Sequence, residues 1–216
     1  MQLRDLWSEA KKHGWATGQG KMNISREAAA SRWTPVATRE GDEAISRLRP
    51  TDRGQAHPRS ISAVHGLGEQ PLHIDGAHMV RPPDVVILTS ENVSSTPTNL
   101  WRIGSLYKVP YDSMCHGLFV VGSGRFAFLS PALEETMRSR KLRYDPTIMV
   151  PADARAHEAA EYLNGAHSAA FAFQWTEPDL ILMIDNRSVL HGRAALVDGD
   201  TDRELTRHAF YLPEGS

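Results

Sequence analysis

Between residues 60 and 212 the sequence breaks into short apolar runs separated by turn residues, and this texture limits the fold more than any other feature. The runs are Ser60–Val64, Leu72–Ile74, Val85–Thr89, Leu106–Val109, Gly117–Val121, Phe126–Leu129, Thr147–Val150, Ala169–Gln174, Leu180–Asp185, Ala194–Leu196 and Leu205–Leu212. Most have the length of strands in a sandwich or barrel. One helix interrupts them, over Asp153–Leu163, with Asp153 as its cap and Asn164-Gly165 to end it. The strand–helix–strand rhythm of a parallel sheet is missing. The pattern predicts a mainly β protein with flanking helices, built as a double-sheet jelly roll.

The segment before residue 60 reads differently. Leu3, Leu6 and Trp7 recur at helical spacing, Glu9 to Lys12 are good helix formers, and Gly14, Gly18 and Gly20 then break the pattern. A second helix is expected over Ser25 to Trp33, capped by Ser25, and residues 50–60 read as loop. With 216 residues the expectation is one domain, with a helical and loop segment over 1–59 and a jelly-roll core over 60–212.

A net charge of −2 gives no overall field to attract nucleic acid or anionic lipid. The single cysteine, Cys115, rules out an intrachain disulfide and fits a reducing cytosol. The longest apolar run, Leu180–Ile184, is far short of the roughly 18 residues of a spanning helix. The charged N-terminus lacks the apolar core of a signal peptide. A cytoplasmic protein with a small-molecule substrate, no nucleic acid and no membrane is the expectation. Oligomeric state has no signal in the sequence.

His73-Ile74-Asp75 sets an imidazole and a carboxylate two residues apart, on one face of an extended chain, where both can reach one ion. A pair of this kind also arises by chance. More specific is the late block Trp175-Thr-Glu-Pro-Asp179-Leu, Asp185-Asn186-Arg187, His191-Gly192-Arg193, followed by Arg203 and Arg207. An apolar strand runs into a polar turn, one histidine is presented, and a strand returns with two arginines on one face.

In these residues the chain resembles the taurine dioxygenase and clavaminate synthase-like families of iron(II)/2-oxoglutarate oxygenases, over roughly residues 60–212. Those families carry an early His-x-Asp or His-x-Glu, a late Trp-x-x-Gly-Asp-Leu…Asp-Asn…His-x-Arg block, and then Arg-x-x-x-Arg; this chain departs in having Glu177-Pro178 in place of the usual Pro-Gly turn before Asp179. The resemblance implies a double-stranded β-helix, the cupin-like jelly roll. It further implies iron(II) held by His73, Asp75 and His191, with 2-oxoglutarate and dioxygen as the other reactants. Two imidazoles and one carboxylate leave three adjacent coordination positions open, whereas a structural zinc site is closed by four protein ligands.

By the same resemblance, Arg203 takes the distal carboxylate of 2-oxoglutarate. Arg207 helps to bind the cosubstrate or an anionic group of the substrate. A threonine of Thr96-Pro-Thr98-Asn99 assists, with Thr98 chosen and Thr96 or Asn99 as alternatives. The family reaction oxidises a substrate C–H bond while 2-oxoglutarate becomes succinate and carbon dioxide. Asp75 favours hydroxylation, desaturation or ring formation over halogenation. Asp185 and Asn186 are expected to orient the His191 loop, and residues 14–60 and 90–115 to supply lid loops. Two other readings stay open: a metal-dependent cupin-type dioxygenase or isomerase without cosubstrate, and a non-catalytic ligand-binding jelly roll.

Overall fold

The computed structural model describes residues 2–38, 43–57, 60–104, 110–136 and 139–213. In chain order the elements are α1 (Leu3–His13), β1 (Trp15–Gln19), α2 (Ile24–Ala30), β2 (Thr34–Pro35), β3 (Ile45–Leu48), α3 (Ile61–His65), β4 (Val85–Ser90), β5 (Ser94–Arg102), α4 (Tyr111–His116), β6 (Phe119–Val121), β7 (Phe128–Ser130), β8 (Leu133–Glu135), β9 (Arg140–Leu142), β10 (Met149–Pro151), α5 (Ala154–Gly165), β11 (Phe171–Trp175), β12 (Leu180–Asp185), β13 (Val189–Arg193) and β14 (Leu205–Tyr211).

The largest sheet runs β1-β12-β4-β14-β2, with β3 also on β14, and all its pairings are antiparallel. A second sheet, β11-β5-β13, lies across from it. Alternation along β4 and β12 explains how both faces of the large sheet are covered. Val86, Leu88, Leu182 and Ile184 meet Leu100, Phe173, Trp175 and Val189 of the second sheet in one buried cluster. Val85, Ile87, Ile181 and Met183 point the other way, against Leu3, Leu6 and Ala10 of α1 and Ile24 and Ala28 of α2. This is the predicted jelly-roll sandwich with flanking helices. A third cluster packs α4 and α5 on β6 and β10 and reaches Leu72, Ile74 and Leu190, beside the His-x-Asp segment.

Several elements depart from expectation. Ser60–Val64 is not a strand but the start of α3, and Ala194–Leu196 lies beyond the strand Val189–Arg193. β5, expected as part of a lid, is the central strand of the second sheet. The cap of α2 is Asn23, whose side chain accepts from the Arg26 N–H at 3.0 Å, rather than Ser25. Asp153 caps α5 as expected, accepting from Ala156 N at 2.8 Å, but that helix runs through Gly165. The segment expected as helix and loop alone contributes β1, β2 and β3 to the large sheet. The run Leu106–Val109 lies outside the described residues. Among the described residues no helix is long and apolar enough to cross a membrane.

Candidate metal centre

His191 sits mid-strand in β13, which pairs with β5 on one side. On its other side the backbone of residues 70–73 runs antiparallel, with His73 N to His191 O and His191 N to His73 O both 2.9 Å and Gln70 N to Arg193 O 2.8 Å. Gly192 makes this approach possible, because a Cβ there would lie 2.7 Å from Gln70 O and 2.8 Å from Pro71 O. The bridge sets the two imidazoles side by side, ring centroids 5.0 Å apart. Asp75, two residues on, points to the same place.

One ligand atom from each of His73, Asp75 and His191 lies within 4.8 Å of the others. Asp75 Oδ1 is 3.7 Å from His73 Nε2, and Asp75 Oδ2 is 3.9 Å from His191 Nε2. Both separations exceed hydrogen-bond length. The donors surround a space of ionic size rather than satisfying one another. His73 Nδ1 is 3.0 Å from the Pro71 carbonyl, which only accepts, so in the neutral ring Nδ1 carries the proton and Nε2 keeps its lone pair. His191 Nδ1 is buried and has no hydrogen-bond partner among the described residues.

Burial by itself would raise the Asp75 carboxyl, but the Arg207 guanidinium and the two imidazoles outweigh it and hold the group well below the usual carboxylate range. Burial would lower His73, yet the carboxylates of Asp75 and Asp145 raise it overall. His191 is lowered, chiefly by burial. A carboxylate and a neutral imidazole are the forms that bind a cation. Asp75 and His191 are shifted toward those forms, whereas His73 is shifted toward the imidazolium and would give up its Nε2 proton to a bound cation.

Asn186 holds Asp75 from behind. Its Oδ1 accepts from Asp75 N at 3.0 Å, and its Nδ2 donates to Asp75 O at 3.0 Å and to Pro83 O at 2.8 Å. The expected link from Asn186 to the His191 loop is therefore a clamp on the carboxylate ligand instead. Asp185 does brace that loop, accepting from Ser188 Oγ at 2.7 Å and Arg187 N at 3.1 Å. Asn186→Ala leaves those buried groups unsatisfied, and is expected to cost about 3 kcal/mol in chemical denaturation. It is also expected to weaken metal binding by about 10- to 100-fold, as loss of a ligand's support does. A denaturation midpoint and a metal titration check both.

Behind these three side chains opens a cavity of 410 Å³. Arg203 lines it, buried, with its Nε unpartnered and one Nη donating weakly to Thr98 Oγ1 at 3.4 Å. Burial, with repulsion from Arg193, depresses its pKa to about 10. Asp200 attracts Arg203 electrostatically without a hydrogen bond to it, and Asp200 Oδ2 accepts from Ser94 Oγ at 2.7 Å and Thr96 N at 2.9 Å. Thr98 Oγ1 accepts from Trp175 Nε1 at 3.1 Å as well as from Arg203, so its own proton is free to donate into the cavity. Of the alternatives to Thr98, Thr96 Oγ1 is fully buried and accepts from Val197 N at 3.1 Å. Asn99 turns to Glu69 and His167, both at 3.3 Å.

Arg207, expected to help bind the cosubstrate or an anionic group of the substrate, is engaged within the protein. It donates to Asp75 Oδ1 and Oδ2 at 3.2 and 3.3 Å, and to Thr38 Oγ1 at 2.7 Å. Asp145, which the sequence did not single out, also lines the cavity. One of its oxygens accepts from Thr147 N at 2.8 Å and Thr147 Oγ1 at 2.6 Å, and no cation pairs with it among the described residues.

No protein-family profile matches the sequence, and no curated protein matches it. Solved structures do. Asparagine oxygenase (AsnO) superposes with a TM-score of 0.75 at 19% identity, over 97% of this chain and 77% of that one. A structure of asparagine oxygenase with Fe(II), 2S,3S-3-hydroxyasparagine and succinate gives 0.68 at 18%, over 97% and 78%. The non-heme iron oxygenase OrfP with Fe and alpha-ketoglutaric acid gives 0.70 at 16%, over 95% and 77%. This likeness shows that the chain has the fold of those iron oxygenases.

Proposed function

We propose that this protein is an iron(II)- and 2-oxoglutarate-dependent oxygenase acting on a C–H bond of a small polar metabolite. What carries the reading is the conjunction, in one cavity, of three convergent donors with a buried arginine that has no anionic partner bonded to it. A bare metal site would suit the cosubstrate-free reading equally. Arg203, with an unpartnered Nε and with Thr98 beside it, asks for a buried carboxylate to offset its desolvation.

In this reading His73, Asp75 and His191 would hold iron(II), which with 2-oxoglutarate and dioxygen would supply the oxidising chemistry. Arg203 and Thr98 fix the distal carboxylate of the cosubstrate and so set the direction from which it reaches the metal. Arg207 keeps Asp75 ionised, and its positive charge lines the cavity beside Thr38, where it would face an anionic group of the substrate. Asp145 offers a carboxylate to a cationic or amide group. Opposite charges at two points of the wall fit an amino acid or a close derivative. The compounds bound with succinate in the similar structures, 2S,3S-3-hydroxyasparagine and (3S)-hydroxy-L-Arg, belong to that class.

A panel of amino acids incubated with protein, iron(II), ascorbate and 2-oxoglutarate is expected to include one that accelerates succinate release and gains oxygen or loses hydrogen. If succinate release never depends on iron and 2-oxoglutarate together, the proposal fails.

A further inference from the structure

The cavity has one wall that no side chain of the metal centre explains. Residues 61–70 run from α3 through a Gly66-Leu67-Gly68 turn to Gln70, and Ile61, Ser62 and Gln70 face the cavity. Gln70 Nε2 donates to Ser62 Oγ at 3.3 Å, tying the two ends of the segment. The stretch around Thr51 to His57, which also lines the cavity, rests on the same turn, for a Cβ on Gly66 would lie 2.9 Å from Arg53 Cγ.

Arg193 holds that turn. It lies on β13, two residues beyond His191 and on the same face, and it is buried. Its Nη1 donates to Leu67 O at 3.1 Å and to Ala194 O at 3.0 Å. Its Nη2 donates to Gly66 O at 2.7 Å and to Gly68 O at 2.9 Å. Gly66 at φ +55° turns these carbonyls toward one point. Among the described residues no carboxylate bonds to Arg193. A planar fork of donors reaches several fixed acceptors at once, which a lysine ammonium does not. Two backbone bonds flank the fork, Gln70 N to Arg193 O at 2.8 Å and Leu196 N to Leu67 O at 2.9 Å.

We propose that Arg193 is a positioning residue: its guanidinium latches the 61–70 wall of the cavity to the strand that carries His191, so that the wall facing the substrate is set from the metal-bearing strand. The proposal builds on the reading of this cavity as the substrate chamber, but its first test needs neither metal nor cosubstrate.

Hydrogen–deuterium exchange is compared in the wild type, Arg193→Lys and Arg193→Ala, at the amides of Gly66, Gly68 and Gln70, each hydrogen-bonded in the structure. Both variants are expected to exchange there about tenfold faster, with β4 and β12 unchanged. Millimolar guanidinium is expected to restore protection in Arg193→Ala, which a role in filling volume alone would not permit. Arg193→Lys keeps charge and length, so it answers the question should Arg193→Ala fail to fold. Mn²⁺ affinity, measured in parallel, is expected to stay within about twofold of wild type. Wild-type exchange at these amides in both variants would overturn the latch. So would acceleration spread evenly over the sheets, or loss of Mn²⁺ from the variants alone. A wild type that binds no Mn²⁺ while the exchange result holds would contradict the proposed iron chemistry and leave the latch supported.

Discussion

Replacing His191 by alanine is expected to abolish iron-dependent succinate release and to weaken divalent-metal binding more than about 100-fold, beyond what loss of a ligand's support costs. Removing one of three donors leaves two, His73 and Asp75, whose atoms lie 3.7 Å apart and which enclose a metal on one side only. The backbone is expected to stay as it is. β13 is held to residues 70–73 by main-chain bonds, and these survive loss of the imidazole. The ring is buried with an unpartnered Nδ1, so its removal relieves one unsatisfied group while opening a small void. The melting temperature of the metal-free protein should therefore move little. Circular dichroism and a Mn²⁺ titration on one preparation check the two halves. Wild-type turnover in His191→Ala would exclude His191 as a ligand.

Arg203→Ala is expected to move function and stability in different directions. Without the guanidinium the distal carboxylate of 2-oxoglutarate is buried unpaired, a loss of about 3 kcal/mol, or more than about 100-fold in its dissociation constant. The free protein has little to lose. Arg203 has an unpartnered Nε, one weak bond at 3.4 Å, and a pKa depressed to about 10 by burial and by Arg193. Removing a buried charge that has no ion pair among the described residues is expected to leave the melting temperature unchanged or slightly raised, the pattern of a residue kept for function. Calorimetric titration of 2-oxoglutarate and a thermal melt separate the two. Unchanged 2-oxoglutarate affinity would favour a cosubstrate-free enzyme on the same scaffold.

The sequence made the cluster of His73, Asp75 and His191 legible for a local reason: His73 and Asp75 share a face at a spacing of two, and His191 follows an apolar strand and a polar turn. The large sheet was legible too where β4, β12 and β14 are rich in buried apolar residues. β5 was not. Its inward positions include Ser94, Thr96 and Thr98, buried polar groups that serve Asp200, Trp175 and Arg203, and Pro97 interrupts it. Alternation was present, but in hydroxyls rather than in aliphatic side chains. β13 was hidden likewise, because all of Val189–Arg193 is buried, histidine and arginine included.

Partners distant in sequence left no trace. The Asn186 clamp on Asp75 spans 111 positions. Arg193 was visible within its His-x-Arg motif, but its acceptors are carbonyls, which any residue supplies. Arg143, in the charged stretch Arg140-Lys141-Leu142-Arg143, is buried and bonded to Glu134 and to the carbonyls of Ala77, Met79 and Val80.

The central claim is that one cavity binds iron(II) and 2-oxoglutarate together. Anaerobic titration of 2-oxoglutarate into the iron(II)-loaded protein, followed by visible absorption, reads this directly. A new metal-to-cosubstrate charge-transfer band that saturates at one equivalent, and is absent from His191→Ala, is the expected result. A wild-type protein that binds iron(II) yet shows no spectral change with 2-oxoglutarate would contradict it.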